Sequence, residues 1–387
     1  MKRGSILVIV LVTLLFAATA LVAFLDKAGT DLLVVSRAAT ADRLRADGYS
    51  ALEVTLAVLE DFRRVGGGLH SAAEGWGDPL GWASWEPADG TQVEVSFQDE
   101  SAKIPLIHVD PAILSNLFQY WQMPQSDAQH LSDVLLAWMQ QNYLPSSGIP
   151  PDYAQSTPAF DPPMRPMRSY SELAAIDYAR EVFFDKAGHP NELWWRFVND
   201  FSLFNYPKPD INGANADVLA GLGQFGDNER QHITDYLSGK GTSRAASPLG
   251  QQWFSSTGDV AGVVGTQGNA QAFSSTIAAL RIVITVRDGS SRYTVSAVVA
   301  PQGGATTVQT TATDVKKGAA GGSSGQTGSS NGLNQTPTQT SSTATNAQTA
   351  AASTATANLQ YPFTVLEIRE NDEILSPPDS PPSPPKT

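Results

Sequence analysis

Ser5–Leu25 reads SILVIVLVTLLFAATALVAFL, and this uncharged run decides what the rest of the chain can be. Its 21 residues match the roughly 20 that an apolar helix needs to cross a bilayer. Lys2 and Arg3 precede the run and Asp26 closes it. Cations on that side predict a cytoplasmic N-terminus, with everything after Asp26 exported. The residues leave three readings open. A cleaved signal peptide would use the small-residue site Ala18-Thr19-Ala20. A plain uncleaved anchor is the second. In the third, a short basic leader ends in Gly4, is cut before Ser5, and the apolar run is kept.

The sequence beyond Leu25 favours a retained rod. No turn cluster follows, and helix-compatible residues continue to about Val65. Leu44, Leu52, Leu56 and Leu59 recur at helical intervals among Arg43, Arg45, Glu53 and Glu60. Gly66-Gly67-Gly68 then supplies a stop. A helix over Ser5–Val65 would be about 90 Å long. Gly29 and Gly48 are its expected weak points.

Composition narrows the function. At 387 residues the chain holds one large domain or two ordinary ones. A net charge of −13 argues against a nucleic-acid partner, which needs a basic face, and leaves room for a divalent cation. There is no cysteine, so disulfides, thiolate metal sites and a cysteine nucleophile are excluded. An exported body without disulfides must rely on a packed core, for which eight Trp and fifteen Phe provide material.

Along the chain, a Gly/Trp-rich loop over 66–90 precedes the alternating strand Val93–Phe97 and a short apolar run, Ile104–Val109. Helical texture follows from Asp110. Leu114, Leu117, Phe118 and Trp121 share one face, and Leu131, Leu135, Trp138 and Met139 another. A Pro-rich loop over 145–168 leads to a helical stretch, Ser171–Phe184, with Ser171 as expected cap. Asp210–Gly241 reads as two short helices around a Gly-rich turn. Ile277–Val286 and Ser291–Val299 flank Asp288-Gly289 as a hairpin. Residues 301–358 are rich in Thr, Ser, Gly and Gln and are expected to be disordered. Leu359–Ile368 returns as a strand, and the tail from Ser376 is polyproline-like. The strands on both sides of the helical stretch are expected to join one sheet packed on the exported half of the long helix.

No chemical motif stands up. Gly221-Leu222-Gly223-Gln224-Phe225-Gly226 has dinucleotide-type spacing but follows a helical stretch where a strand is required. A tight bend between helices fits it better. Ser238-Gly239-Lys240-Gly241-Thr242 lacks the first glycine of a phosphate loop and reads as a helix end. The histidines at 70, 108, 130, 189 and 232 form no H-E-x-x-H pair, and no G-x-S-x-G elbow occurs. Asp99, Glu100 and Lys103 read as a turn tied by local hydrogen bonds and an ion pair. Trp194, Trp195 and Phe197 read as core or interface.

Several segments, taken in order, resemble the type II secretion minor pseudopilin K family (general secretion pathway protein K). Gly4 before the apolar run resembles a prepilin cleavage site. Asp99-Glu100-Ser101-Ala102-Lys103-Ile104 resembles the family's segment after its first strand, and Ser171-Glu172-Leu173 its helix start. Asp210-Ile211-Asn212 with Ala216-Asp217-Val218-Leu219 resembles a third family segment. Pilins generally carry Glu at the fifth position of the mature chain. Here that position is Ile9, and its lack of Glu matches the K family. The sequence departs from the family at Ala137-Trp138-Met139-Gln140, where two carboxylates are missing, and at Gly148 with Asp152-Tyr153, Pro105 and Ala214.

The resemblance implies an α+β fold: a pilin-like long N-terminal helix on a small antiparallel sheet, with a large all-helical insert of helix-hairpin-helix type between strands. The expected division is leader 1–4, transmembrane and assembly helix 5–25, pilin-like helix and first strands 26–109, and helical insert 110–270. The strand hairpin 271–300, the loop 301–358, the last strand 359–375 and the tail 376–387 complete it. The implied function is non-enzymatic, at the tip of a pseudopilus that exports folded proteins. Gly4 and Ser5 would be the processing site, with methylation of the new N-terminus left open. Ile9 would mark a subunit that needs no neighbour in front of it. Implied partners are the prepilin peptidase, the minor pseudopilins of the I and J families and the major pseudopilin, in the bacterial inner membrane with the body in the periplasm. Calcium is a family ligand, but the missing carboxylates leave no residues to name. The alternative is a secreted or anchored binding protein or enzyme with an ordinary signal.

Overall fold

A computed structural model describes residues 3–87, 90–148, 153, 159–240, 252–265, 267–308 and 362–371. One helix, α1 (Arg3–Gly66), runs without a break, and a single turn, α2 (Pro79–Trp82), follows it. No proline occurs before Pro79, so nothing in the run removes a backbone donor. Gly67 takes φ +74°, a backbone that glycine adopts freely, and ends the helix. Neither Gly29 nor Gly48 interrupts it. Gly29 has open space around it, whereas a Cβ on Gly48 would lie 2.9 Å from the Tyr293 ring. Gly48 is therefore a packing position.

The body is a four-stranded antiparallel sheet ordered β1-β4-β5-β6, made of β1 (Gln92–Asp99), β4 (Leu280–Asp288), β5 (Ser291–Pro301) and β6 (Phe363–Glu370). The first strand and the last three are separated by the helical stretch, yet Phe97 faces Ile282 and Val299 faces Val365 in one sheet. Alternation sorts the faces. Ile282, Ile284, Val286, Tyr293, Val295 and Ala297 meet Leu44, Leu52 and Leu59 of α1 in one core. Arg281, Val283, Ser296 and Val298 point to the other face. There Phe204 and Tyr206 cover Val298 and Ala300.

The helical lobe has its own core. The helices α3 (Pro111–Tyr120), α4 (Gln125–Met139), α5 (Ala179–Phe183), α6 (Glu192–Asp200), α7 (Ala216–Gly221), α8 (Asp227–Leu237) and α9 (Thr257–Val264) surround it. Leu114, Leu117, Phe118, Leu131, Leu135 and Phe197 are among its buried residues. The expected faces of α3 and α4 are the buried ones. The Gly-rich segment 221–226 joins α7 to α8, so a bend between helices is what it builds. Gly221 lies against Leu117, where a Cβ would meet the Leu117 side chain at 2.6 Å. Gly239, at φ +70°, donates to the Tyr236 carbonyl just past the end of α8.

Four expectations need correction. The first strands expected within 26–109 are one full strand and a fragment: of the apolar run Ile104–Val109 only β2 (Ile104–Pro105) is extended, paired with β3 (Phe201–Ser202), and Leu106–His108 is a 3₁₀ turn. Ser171–Phe184 is not one helix. A 3₁₀ segment, Tyr170–Ala175, is capped by Ser169 rather than Ser171, and Tyr178 at φ +59° separates it from α5. In the hairpin, Asp288 pairs with Ser291, so the turn residues are Gly289 and Ser290, and β4 begins at Leu280. The stretch from Pro301 is ordered at its start: Ala305 is buried and Thr306 exchanges two backbone hydrogen bonds with Asn205. The remainder of that stretch from 309, and the tail from 376, lie outside the described residues.

Candidate functional site

Two places carry the candidate residues: the bare half of α1 and the junction of sheet and helical lobe. Along α1 every residue from Val8 to Ala39 is exposed, and burial starts only at Thr40 and Leu44. The segment Val8–Gly66 is long and apolar enough to cross a membrane by length and composition. Gly4, Ser5 and Ile9 all lie in the first turns of α1. Ile9 is 60% exposed and meets nothing in the monomer that explains an isoleucine. An apolar helix whose residues from Val8 to Leu25 are all exposed can satisfy its own backbone in lipid and offers its side chains to lipid or to other helices.

The junction is built by the segments singled out in the sequence. Asp99, ending β1, accepts from the Ser101 backbone N–H at 2.9 Å and from the Ser101 hydroxyl at 2.6 Å. The turn is thus local, as expected. It is also held from a distance. The Asp210 N–H donates to the Ser101 carbonyl, and the Tyr206 hydroxyl donates to the carbonyls of Glu100 and Lys103. Glu100 is 1% exposed and takes Lys103 at 3.0 Å and Arg281 at 3.3 Å. Arg281 reaches on to Glu367 at 2.9 Å, tying β4 to β6 on the lobe side of the sheet. A buried carboxylate needs such partners, because an unpaired charge there costs several kcal/mol.

Asp99 and Asp210 form a buried acid pair. Each has one carboxylate oxygen satisfied, Asp99 by Ser101 and Asp210 by Asn212. Their other oxygens, both Oδ2, are buried with no donor. Burial, and then the charge of Asp99, push Asp210 well above the usual carboxylate range. Burial likewise raises Asp99, to about 6. Two like charges this close cannot both ionise away from water, so the pair shares a proton. A second pair repeats the theme: burial and the Asp217 charge raise Asp200 to about 8, while Arg196 at 2.5 Å helps hold Asp217 low against its own burial. Nothing in the sequence links position 99 to 210, so neither pair was readable there.

Glu172 is spent on structure. Its carboxylate accepts from the Trp138 indole at 3.0 Å, from Arg165 at 3.0 Å and from the Arg168 N–H at 2.9 Å. Asp133 accepts from the Tyr143 hydroxyl, the Ser146 hydroxyl and the Ser147 N–H, the last at 2.6 Å. Calcium takes six to eight oxygens. Among the described residues no three His, Cys, Asp or Glu side chains gather, and Asp152 lies outside them. Among the described residues, Glu172 and Asp133 already accept from protein donors and do not form a calcium cage. Trp194 and Phe197 are buried in the lobe, with Trp195 at its edge.

No family model matches the chain, and no curated protein does. A structural match exists to a chain of the GspK-GspI-GspJ complex from the type 2 secretion system of enterotoxigenic Escherichia coli. It has 12% identity and a TM-score of 0.47, and covers 68% of this chain and 92% of that one. Both the identity and the TM-score are low, and the functional reading rests on the chain's own residues.

Proposed function

We propose that the chain is a minor pseudopilin of type II secretion, cut between Gly4 and Ser5 and placed at the end of a pseudopilus. The observation that carries this reading is the division of α1. Its exported half is fixed to a sheet through Leu44, Leu52 and Leu59, and its apolar half is bare. A signal to be discarded has no need to continue as one rigid rod into the core of the folded body. The convergence of the 99–104 and 210–212 segments at one junction supports the same reading, since each resembles the K family separately.

Partners would pack on the bare apolar surface, and the I and J families are the proposed ones. The absence of cysteine makes this testable. Leu33→Cys, paired with single cysteines in the corresponding helices of co-expressed I- and J-type subunits, is expected to give disulfide-linked heteromers. Finding no adduct at any register would contradict the proposal.

Ile9 gives a separate test. A carboxylate there would regain the pairing partner of a neighbour's amino terminus and lose the preference for the end position. Ile9→Glu is expected to reduce secretion at least severalfold while the protein still accumulates in the membrane. Unchanged secretion would remove the account of why Glu is absent.

A further inference from the structure

Where α1 meets the body, a cavity of about 510 Å³ opens between the helix and the tip of the β4–β5 hairpin. Two arginines, Arg37 and Arg292, and five hydroxyl residues, Ser36, Thr40, Ser290, Ser291 and Tyr293, line it. The chain as a whole is acidic, at −13, yet among the described residues no carboxylate lines this cavity.

The arginines around it divide into two groups. Arg43 pairs with Asp288, Arg45 with Glu370 at 2.9 Å, and Arg287 with Glu94 at 3.8 Å. Arg37 and Arg292 are the two that line the cavity, and among the described residues neither meets a carboxylate. Arg292 reaches only the Thr294 hydroxyl, at 3.2 Å. It also stands directly across the hairpin from Arg287, a like-charge pair that a sheet tolerates poorly. An anion between Arg37 and Arg292 would relieve that repulsion. Guanidinium forks with hydroxyl donors suit the tetrahedral oxygens of a phosphate.

Position gives the source. Ser5–Val35 rises about 46 Å as a helix, close to the roughly 40–45 Å of a bilayer with its headgroups. Leu32, Leu33, Val34 and Val35 form an exposed apolar collar immediately on the membrane side of the cavity. We propose that this cavity is a phosphate-binding site, placed to take the phosphate of an anionic phospholipid at the exported surface of the membrane. It does not depend on the assembly reading and stands equally if α1 is a plain anchor.

Native mass spectrometry of the full chain in detergent, titrated with phosphatidylglycerol, phosphatidylcholine or inorganic phosphate, tests this. Phosphatidylglycerol is expected to bind at least tenfold more tightly than phosphatidylcholine, and the double variant Arg37→Gln/Arg292→Gln to lose that preference. Ser290→Ala/Ser291→Ala keeps both charges and should weaken binding severalfold, which guards against misfolding of the arginine variant. Inorganic phosphate binding that is lost in the arginine variant, without lipid preference, would keep the phosphate site and make its source soluble. Equal binding of every ligand to wild type and both variants would overturn the proposal. So would an equal loss in the remote control Lys186→Gln.

Discussion

Asp210→Asn is expected to flatten a fall in stability that the wild-type chain shows as pH rises above about 4. An unfolded aspartate titrates near 3.9. In the folded chain Asp210 is held well above that by burial and the Asp99 charge, Asp99 is raised to about 6, and Asp200 to about 8. The folded state therefore keeps protons that the unfolded state has released. Each contribution is fully present below about pH 4 and is lost as pH climbs through the folded value. Each retained proton lowers stability by about 1.4 kcal/mol per pH unit. Glu172 and Glu367, held low by their donors against their burial, act near and below about pH 4.3 and leave this window alone.

An asparagine at 210 cannot ionise, and its amide can donate to the orphaned Oδ2 of Asp99. Unfolding followed by tryptophan fluorescence at pH 5, 6, 7 and 8 should show a shallower slope in the variant, by up to about 1.4 kcal/mol per unit where Asp210 keeps its proton. Asp200→Asn should remove a separate share of the slope, because the two pairs are distinct. Parallel pH curves for wild type and Asp210→Asn would mean that the pair holds no proton.

Gly48→Leu should be the most damaging single change in α1. Gly48 lies in the stripe Leu44, Ala51, Leu52, Thr55 and Leu59 that faces the sheet. A Cβ there would already sit 2.9 Å from Tyr293 Cε1 and 3.1 Å from Cδ1, and Val286 closes the side at 3.5 Å. Helix propensity favours leucine over glycine by somewhat under 1 kcal/mol. Overpacking costs about 1–3 kcal/mol, more where the neighbour is a buried ring. Packing wins, and we expect a net loss of about 1–2 kcal/mol. Tyr293→Ala removes the obstruction, so the double variant should lose less than the sum of the singles. Additive losses would show that Gly48 is needed for some other reason.

These cases show what was legible in the sequence. The rod, the sheet, the hairpin and the helical lobe could be read because their signals are local: period 3.6 in α1, α3 and α4, alternation in β1, β4 and β5, and a Gly turn at 289. Gly48 looked like a weak point because propensity concerns the helix alone, and its role depends on Tyr293, 245 positions later. The same limit hid the junction. Asp99, Glu100 and Lys103 suggested a turn, and that turn exists. Its distant supports, Tyr206, Asp210 and Arg281, come from two other parts of the chain. The Ser171 cap failed for a different reason: Ser169 and Ser171 are both good caps, and the extended backbone of Ser169 decides between them.

The account depends on α1 being kept whole after a cut near its start. The intact mass of the chain purified from the membranes of cells that express it, with sequencing of its first peptide, measures this directly. The account predicts a chain that begins at Ser5, with or without one methyl group, and retains the entire apolar run. A chain that begins at Leu21 would have lost most of the apolar run Ser5–Leu25 and would contradict it.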